Sequence, residues 1–280
     1  MSIILDGKKL SNRLALKLMA KISKLAINPK LVIIQIGNLD RTNVYIKKKK
    51  EFAEKIGAKV LHEKYPKNIQ IEKVISNILK FNKDRSIHGI IVQLPLPKNF
   101  DTTRIIMAID QRKDVDGLTA KNTRLLFDKK NGFVPATAKG ILTLFKNYKI
   151  DLTGKKITMV GQSSLVGRPI ALALLNEGAT VTVCHTHTRN LKEETKRADI
   201  IVVAAGHPGL ITKNHVSSGQ IVIDVGITLK NGKVVGDVDY EKVSKIVKAI
   251  TPVPGGVGPM TVFSLFENLV KAYLLNSSNL

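Results

Sequence analysis

Short apolar runs alternate with amphipathic stretches along the whole chain, and this alternation predicts an α/β fold. Residues 31–37 and 86–95 are rich in isoleucine, leucine and valine, so they predict two buried strands with helices before, between and after them. Four further runs predict strands separated by helices or loops: residues 155–161, 180–185, 199–206 and 220–227. Because strands that alternate with helices usually pair in the same direction, we expect a largely parallel architecture.

Segments that contain proline and glycine divide this pattern into two predicted domains. Residues 134–140, VPATAKG, are typical of a connector. We therefore predict a first α/β domain over residues 1–140 and a Rossmann-type dinucleotide-binding domain over residues 141–260. A last helix begins at Thr261, and this segment, residues 261–280, is expected to pack back on the first domain.

The net charge of +23, with a pI of about 10.0, would suit a nucleic-acid-binding protein. However, the lysines are spread over the whole chain, aromatic residues make up only 5%, and there is no tryptophan, so the sequence lacks an RNA-binding signature. We interpret the charge as a solvated surface that attracts anionic substrates, and predict no specific nucleic-acid partner. Non-specific polyanion binding is the alternative.

The expected location is the cytoplasm. The chain has no uninterrupted apolar run near the ~18 residues that a membrane-spanning helix needs. Its start is basic and amphipathic like a transit peptide, but Asp6-Gly7 predicts a turn between a short strand and a helix, as in a folded domain. Cys184 is the single cysteine, so no internal disulfide can form and a reducing compartment is favoured.

A glycine-rich turn is the candidate site for a dinucleotide. The predicted strand at residues 155–161 ends in Gly161, and after Pro169 comes a helical run, IALALLNEGA. The N-terminus of such a helix presents free backbone amides to a phosphate. The glycines are spaced more widely than in G-x-G-x-x-G, so a purely structural turn is the alternative.

The end of the following strand bears on the choice between NAD and NADP. NAD-binding domains place a carboxylate there, which bonds the ribose 2′-hydroxyl. Residues 184–189, CHTHTR, contain no acid but offer hydroxyls, imidazoles and a guanidinium, which suit a 2′-phosphate. We therefore expect NADP in preference to NAD. His185 and His187 lack the further ligands that would complete a metal site, so we predict none.

One lysine of a run of four is distinguished by its position on a predicted helix over residues 44–57. On a helical wheel, Lys49 falls on the same face as Tyr45, Phe52 and Ile56, away from the other lysines. An amine on an apolar face among other cations should have a lowered pKa and can accept a proton near neutral pH. The alternative is a lysine whose stem packs while its ammonium reaches water.

Three further segments carry candidate chemistry. Gln93 lies at the carboxyl end of a predicted parallel strand, where α/β sheets bind ligands. Asp114 and Asp116 precede a glycine, which suits turn formation, a divalent metal, or one carboxylate that accepts from adjacent ring donors such as those of a pterin. Residues 252–259 contain three prolines and three glycines, so we expect a stiff irregular loop, neither helix nor central strand, that approaches a ligand.

These segments together resemble the methylenetetrahydrofolate dehydrogenase/cyclohydrolase family over essentially the whole chain. The matching motifs are the Tyr45/Lys49 helix, VQLPLP at 92–97, KDVDG at 113–117, the GxSxxVGxP turn at 161–169, and ITPVPGGVGPMT at 250–261. The resemblance implies two α/β domains that flank a cleft, with folate in the cleft and a nicotinamide cofactor on the C-terminal Rossmann-type domain. It also implies a homodimer.

The resemblance implies site residues as well. The catalytic set would be Lys49, Tyr45, Gln93 and Asp116, with Lys49 as the catalytic lysine and Asp116 holding the pterin ring. The substrate-binding residues would be Tyr45, Lys49, Val92, Gln93, Leu94, Asp116, Pro254, Gly255, Gly256, Val257 and Gly258. The cofactor-binding residues would be Gly161, Gln162, Ser163, Val166, Gly167, Thr186 and Ile227.

The implied activity is oxidation of 5,10-methylenetetrahydrofolate with NADP, followed by hydrolysis of the methenyl product to 10-formyltetrahydrofolate, on polyglutamylated substrates. Oxidation needs alignment of folate and cofactor, whereas hydrolysis needs proton transfer, which suits Lys49. The alternatives are an NAD-preferring or dehydrogenase-only enzyme of the same fold, and a non-catalytic polyanion-binding protein.

The sequence departs from the family pattern at a few positions. Gln162 stands where an arginine usually helps to hold the 2′-phosphate, which keeps NAD as an alternative cofactor. Thr42 replaces a common serine, Ala136 and Ala138 replace a cysteine and a proline, and the glycine expected after Asn122 is missing. The changes at the connector and the cleft edge bear on rate and affinity more than on reaction type.

Overall fold

The computed structural model describes residues 2–230 and 232–277. The strands are β1 Ile3–Ile4, β2 Lys30–Ile36, β3 Lys59–Tyr65, β4 Gly89–Val92, β5 Lys156–Val160, β6 Thr180–Cys184, β7 Ile200–Val203, β8 Ile221–Asp224, β9 Thr228–Lys230, β10 Lys233–Val235 and β11 Ala249–Ile250. The helices are α1 Gly7–Ile22, α2 Asp40–Ile56, α3 Ile71–Lys83, α4 Thr102–Met107, α5 Ala120–Phe127, α6 Ala136–Asn147, α7 Gly167–Asn176, α8 Leu191–Lys196, α9 Tyr240–Val243 and α10 Val257–Ser277.

The chain divides into two compact units, each built from two stretches of sequence. The six-stranded unit comprises the described residues of Met1–Asn12 and Thr137–Thr261, and the three-stranded unit those of Arg13–Ala136 and Val262–Leu280. The predicted first domain began at residue 1, whereas the structure groups the first residues with the six-stranded unit. The reason is that Ile3 and Ile4 of β1 pair with β11.

The six-stranded unit contains a fully parallel sheet in the order β1-β11-β8-β7-β5-β6. From β5 the chain runs outward to β6 and then returns to the other side of β5 to form β7, so the strand order reverses at β5. In such sheets ligands bind beyond the carboxyl ends of the strands, at the point of reversal. The antiparallel pair β9 and β10 follows β8.

The three-stranded unit contains a parallel sheet in the order β3-β2-β4. One face of the central strand packs Val32, Ile34 and Ile36 into a core with side chains of α3 and α4. Gln35 faces the opposite way and bonds to Asn43 of α2 at 2.9 Å. Parallel sheets with helices in both units confirm the predicted fold class.

Strand β3 lies in a region that was expected to be helical. This strand reads KVLHEKY and pairs with β2 along all of its seven residues. It lies at the edge of its sheet and is exposed or half-buried throughout. An edge strand of this kind needs no apolar run, so its lysines and glutamate concealed it from a search for apolar segments.

Two predicted irregular segments are helical. Residues 136–140, expected to lie in a connector, form the first turns of α6. Likewise, α10 begins at Val257, four residues before the predicted start, and includes Gly258 and Pro259. The prediction that residues 252–259 contain no helix was therefore wrong for the last three. Proline fits a first turn because the amides there have no acceptor within the helix.

Within the described residues, none of the helices combines the length and apolar character that a bilayer crossing requires.

Candidate functional site

Helix α2 places the four residues of the predicted apolar face where the helical wheel puts them. Ile56 is fully buried, and Phe52 packs against the rings of Phe266 and Phe263, with centroid distances of 5.4 and 6.5 Å. Lys49 is half-buried, whereas the other three lysines of the run are exposed. Its Nζ donates a hydrogen bond of 2.7 Å to Oε1 of Gln93. The pattern therefore separated the one inward-facing lysine correctly.

Lys49 and Asp116 act on each other electrostatically within the three-stranded unit. Burial lowers the pKa of Lys49, and the nearby Asp116 carboxylate opposes this effect. Burial raises the pKa of Asp116 to about 6, against the effect of Lys49 and with a further contribution from Asp114. A lysine with a lowered pKa beside a carboxyl with a raised pKa is an arrangement suited to proton transfer near neutral pH.

The two carboxylates of the KDVDG motif have different environments. Asp114 is buried and its oxygens accept hydrogen bonds of 2.8 to 3.1 Å from the backbone amides of Gly117, Leu118 and Thr119. It also accepts from Nδ2 of Asn122 at 2.8 Å. Asp114 thus performs the turn chemistry that the sequence left open, and it fixes the loop that carries Asp116.

Gln93 follows the last residue of β4, at the carboxyl end of the strand as predicted. Its Nε2 donates to the carbonyl of Leu94 at 3.0 Å, which leaves Oε1 directed at Lys49. The side chains of Val92 and Leu94 pack with the core between the sheet and α3. These two residues therefore offer a ligand chiefly their backbone groups.

A series of side-chain hydrogen bonds that the sequence did not predict connects α2 to the strands β2 and β3. Lys50 Nζ lies 3.1 Å from His62 Nδ1, and His62 Nε2 lies 2.8 Å from Gln35 Oε1. Gln35 Nε2 then donates to Asn43, whose Nδ2 donates to Asn38, each at 2.9 Å. Gln35 is fully buried, so these hydrogen bonds fix the start of the helix that bears Lys49. Only the polar Gln35 within an apolar strand signals them in the sequence.

In the six-stranded unit, Gly161 and Gly167 are required by close backbone approach. Gly161 follows β5 with φ of 118°, and a Cβ there would lie 2.8 Å from the carbonyl carbon of Ala204. A Cβ at Gly167, the first residue of α7, would lie 2.7 Å from the carbonyl carbon of Gly161. The turn therefore brings the N-terminus of α7 against the end of β5, which leaves a cradle that fits a dinucleotide phosphate.

The remaining residues of this turn are arranged around that helix start. Ser163 Oγ accepts from the Gly167 amide at 3.2 Å, while Val166 at the N-cap supplies no side-chain cap. Gln162 is exposed, and its carbonyl accepts from Nε of Arg168 at 3.1 Å. Arg168, which was not among the predicted cofactor residues, thus lies beside Gln162.

Two other predicted cofactor residues follow neighbouring strands of the same sheet. Thr186 is exposed two residues after β6, in a loop where the His185 amide donates to Oγ1 of Thr188 at 2.9 Å. Ile227 is 43% exposed, three residues after β8. Because the strands are parallel, these residues and Gly161 belong to the same carboxyl edge. No group of metal-binding side chains occurs within residues 2–230 and 232–277.

The proline- and glycine-rich segment belongs to the six-stranded unit. The Gly256 amide donates to the Pro252 carbonyl at 2.8 Å, and the Gly255 carbonyl accepts from Lys8 at 2.7 Å. Pro254, Gly255 and Gly256 precede α10, whereas Val257 and Gly258 lie within it. The structure thus brings Lys49, Gln93 and Asp116 together in one unit and describes Pro254–Gly258 in the other.

A parallel sheet with a glycine-lined helix start at its reversal point is typical of a dinucleotide-dependent oxidoreductase, and the lysine–carboxylate site indicates a second, proton-transfer chemistry. Sequence comparison gives the family. The model of the tetrahydrofolate dehydrogenase/cyclohydrolase catalytic domain matches residues 5–116, and that of its NAD(P)-binding domain matches residues 135–277. The chain belongs to the tetrahydrofolate dehydrogenase/cyclohydrolase family.

Similar proteins and structures extend over nearly the full length. Bifunctional protein FolD of Aquifex aeolicus is 44% identical over 278 residues, which cover 98% of this chain and 96% of the relative. The crystal structure of the bifunctional FolD enzyme from Campylobacter jejuni has a TM-score of 0.96 and 43% identity, with complete coverage of both chains. That of the Trypanosoma brucei enzyme, complexed with NADP cofactor and inhibitor, has a TM-score of 0.94, 30% identity, and coverage of 99% and 98%.

These matches confirm the predicted family and the predicted enzyme class, an oxidoreductase combined with a hydrolase in one-carbon metabolism. They also confirm a nicotinamide dinucleotide as cofactor and a folate as the small-molecule substrate.

Proposed function

We propose that the protein oxidises 5,10-methylenetetrahydrofolate to 5,10-methenyltetrahydrofolate with NADP and then hydrolyses this product to 10-formyltetrahydrofolate. The observation that carries the proposal is the bond from the half-buried Lys49 amine to Gln93, with Asp116 in electrostatic contact. The roles of the individual residues below are part of the same proposal.

For the oxidation, the residues of the chain bind and align the reactants. The glycine cradle and the start of α7 hold the dinucleotide phosphates through backbone amides, with Thr186 and Ile227 on the same carboxyl edge. When bound, the nicotinamide accepts a hydride from the bridging methylene. The carbocation left on the folate is stabilised by two nitrogens, so no acid or base is needed, and alignment supplies the rate enhancement.

For the hydrolysis, Lys49 moves the proton. Its neutral amine accepts a proton from the water that adds to the methenyl carbon, and the resulting ammonium gives it to the ring nitrogen when the C–N bond opens. The hydroxyl of the adduct becomes the formyl carbonyl and releases its proton to solvent. Gln93 orients the amine through the 2.7 Å bond. Tyr45 lies one turn before Lys49 on the same face, where its ring packs against the folate. The Asp116 carboxylate accepts from the ring N–H and amine of the pterin.

The test compares two lysines of the same helix. Lys49→Ala should abolish hydrolysis, followed as loss of the methenyl absorbance, because no other amine bonds to Gln93 in the described structure. Lys47→Ala is the matched control, since Lys47 is exposed and its Nζ lies 3.9 Å from Oε1 of Glu51 on the same helix. Hydrolysis at the wild-type rate in Lys49→Ala would remove Lys49 from this role.

The choice of NADP over NAD is a second part of the proposal. The loop after β6 carries hydroxyls, imidazoles and a guanidinium but no acid, which suits a 2′-phosphate. Arg168, bonded to the Gln162 carbonyl, supplies a cation beside the position where an arginine is missing. Initial dehydrogenase rates with each cofactor test this choice, and a higher kcat/KM with NAD would reverse it.

We also propose polyglutamylated folates as the substrates. A cavity of about 610 Å³ opens beyond the carboxyl ends of β2 and β3, and its lining includes Lys64 and Lys67. It lies at the same edge of the sheet as Gln93, and its two lysines suit a chain of carboxylates. A pentaglutamate substrate should have a lower KM than the monoglutamate, and Lys64→Ala combined with Lys67→Ala should remove the difference.

Two further properties complete the proposal. The family resemblance supports a homodimer, which sedimentation equilibrium would test. The single cysteine, Cys184, is buried and unpaired, which supports work in a reducing cytoplasm. Fractionation of cells that produce the protein would test the location.

A further inference from the structure

Two aspartates of the six-stranded unit are buried without taking part in the chemistry proposed above. Asp224 is the last residue of β8 and is 3% exposed, and Asp237, beyond β10, is fully buried. Among the described residues, neither carboxyl forms a salt bridge with a lysine, an arginine or a histidine. Buried carboxyls without a cation need another source of stabilisation.

Backbone amides supply that stabilisation. Asp224 Oδ1 accepts from the amides of Gly226 and Asp237 at 2.9 and 3.1 Å, and Oδ2 accepts from the Val238 amide at 3.0 Å. Asp237 Oδ2 accepts from the amides of Ala205 and Gly206 at 2.7 and 2.8 Å. The two carboxyls therefore tie together three backbone segments: the loop after β7, the loop after β8 and the segment after β10.

One oxygen of the pair has no partner. Asp237 Oδ1 is buried and accepts no hydrogen bond from the described residues. It lies against Gly226, where a Cβ would be 2.5 Å away, and the amide of the same glycine bonds to Asp224. Both carboxyls thus approach Gly226, and Asp237 Oδ1 is left beside it as a buried acceptor without a donor.

We propose that Asp224 and Asp237 are positioning residues that share one proton and hold the loops after β7 and β8 in the form that binds the cofactor. Two negative charges that both lie against Gly226 in a buried site repel each other, and a shared proton removes the repulsion. The inference rests on the proposed function only in that Ile227, next to Gly226, takes part in cofactor binding.

The charges that face the pair agree with this assignment. Burial raises the pKa of Asp224 to about 6, the amides of Asp237, Val238 and Gly226 oppose this, and the Asp237 carboxylate raises it further. The pair keeps its proton below that pH and loses it above, so the loops loosen as the pH rises. Cofactor affinity should therefore be full near pH 5.5 and weaker at pH 7.5.

Asp237→Asn removes the carboxyl that shares the proton but keeps the hydrogen bonds to the backbone. The asparagine oxygen can still accept from Ala205 and Gly206, and its amide can donate from the position of the unpartnered oxygen. Calorimetry measures the Kd for NADP at pH 5.5 and at pH 7.5. Between these two pH values, the Kd of the wild type should rise about fivefold more than the Kd of Asp237→Asn. Glu177→Gln, at an exposed carboxylate of the same unit, is the matched control and should follow the wild type.

The 2′-phosphate of NADP also titrates in this range, with a pKa of about 6. Because it titrates equally in the experiments with Glu177→Gln, that variant shows how much of the pH dependence comes from the cofactor. Carboxyl-carbon NMR on the protein without cofactor gives a second readout, independent of turnover. The assigned Asp224 resonance should titrate with a raised pKa in the wild type and in Glu177→Gln and with a lower pKa in Asp237→Asn, whereas Asp116, whose pKa is also raised, should titrate alike in all three. Equal pH dependence of NADP binding in all three proteins, or an Asp224 pKa that is the same in all three, would overturn the inference. A protein inert toward folates but with this NMR signature would instead overturn only the proposed function.

Discussion

Replacing Asp116 by asparagine is expected to make the protein more stable at alkaline pH while it weakens folate binding. The pKa of Asp116 is raised from 3.8 to about 6, mainly by burial, so the ionised carboxylate is disfavoured in the folded state even with Lys49 nearby. Because the folded-state pKa exceeds the unfolded one, the contribution of this group is full below about pH 4 and is lost as the pH rises through 6.

The size of the effect follows from the same pKa. A rise from 3.8 to about 6 corresponds to roughly 3 kcal/mol, at 1.36 kcal/mol for each pH unit. Part of this gain in the free energy of unfolding is lost in the variant, because the Asp116 carboxylate no longer stabilises the charged form of Lys49. We therefore expect Asp116→Asn to unfold with a free energy about 1–2 kcal/mol larger than the wild type at pH 8, and with nearly the same value at pH 4.

Urea denaturation at pH 4 and pH 8 measures this difference, and folate affinity is measured alongside. Asp114→Asn is the control within the same motif, since Asp114 accepts four hydrogen bonds. It should lose about 2–4 kcal/mol at both pH values, because buried donors are left without a good acceptor. A variant at Asp116 that is less stable than the wild type at pH 8 would refute the reasoning.

Three other substitutions test the framework of the site. Gly167→Ala should raise the Kd for NADP and cost about 1–3 kcal/mol, because the new methyl group meets the Gly161 carbonyl; unchanged binding would contradict the close approach. Phe52→Ala should lower the free energy of unfolding by about 3 kcal/mol through loss of the packing with α10, and a loss under 1 kcal/mol would show that this packing is weak. Burial, Lys50 and Lys64 lower the pKa of His62, so its contribution to stability is present above pH 6.5 and lost on acidification. His62→Asn should therefore reduce the drop in Tm between pH 7 and pH 5, and an unchanged drop would exclude His62 as its source.

Local patterns were sufficient where a single element decides the outcome. The apolar face of α2 isolated Lys49, because burial along a helix follows its own period. The buried strands of the six-stranded unit were found because parallel strands covered on both faces are continuously apolar. The turn at Gly161 was found because a strand, a glycine and a helix follow one another directly.

Features that depend on distant residues could not be predicted in this way. The pair Asp224 and Asp237 exists because the segment after β10 folds against the end of β8, and no spacing rule connects the two aspartates. The polar chain through Gln35 and His62 requires the register of β2 against β3, and β3 itself was missed. The start of α10 at Val257 was missed for a local reason, because three prolines and three glycines were taken to exclude a helix although proline fits a first helical turn.

The packing of α10 in the three-stranded unit determines the order in which the two units fold during synthesis. Phe52 packs on Phe266, and the buried Nδ2 of Asn268 donates to the Val115 carbonyl at 2.9 Å. These partners are synthesised more than 140 residues apart, with five of the six strands of the dinucleotide-binding sheet translated between them. During translation, the core of the three-stranded unit therefore remains incomplete until residues 262–277 leave the ribosome. The dinucleotide-binding sheet is translated earlier and can fold first.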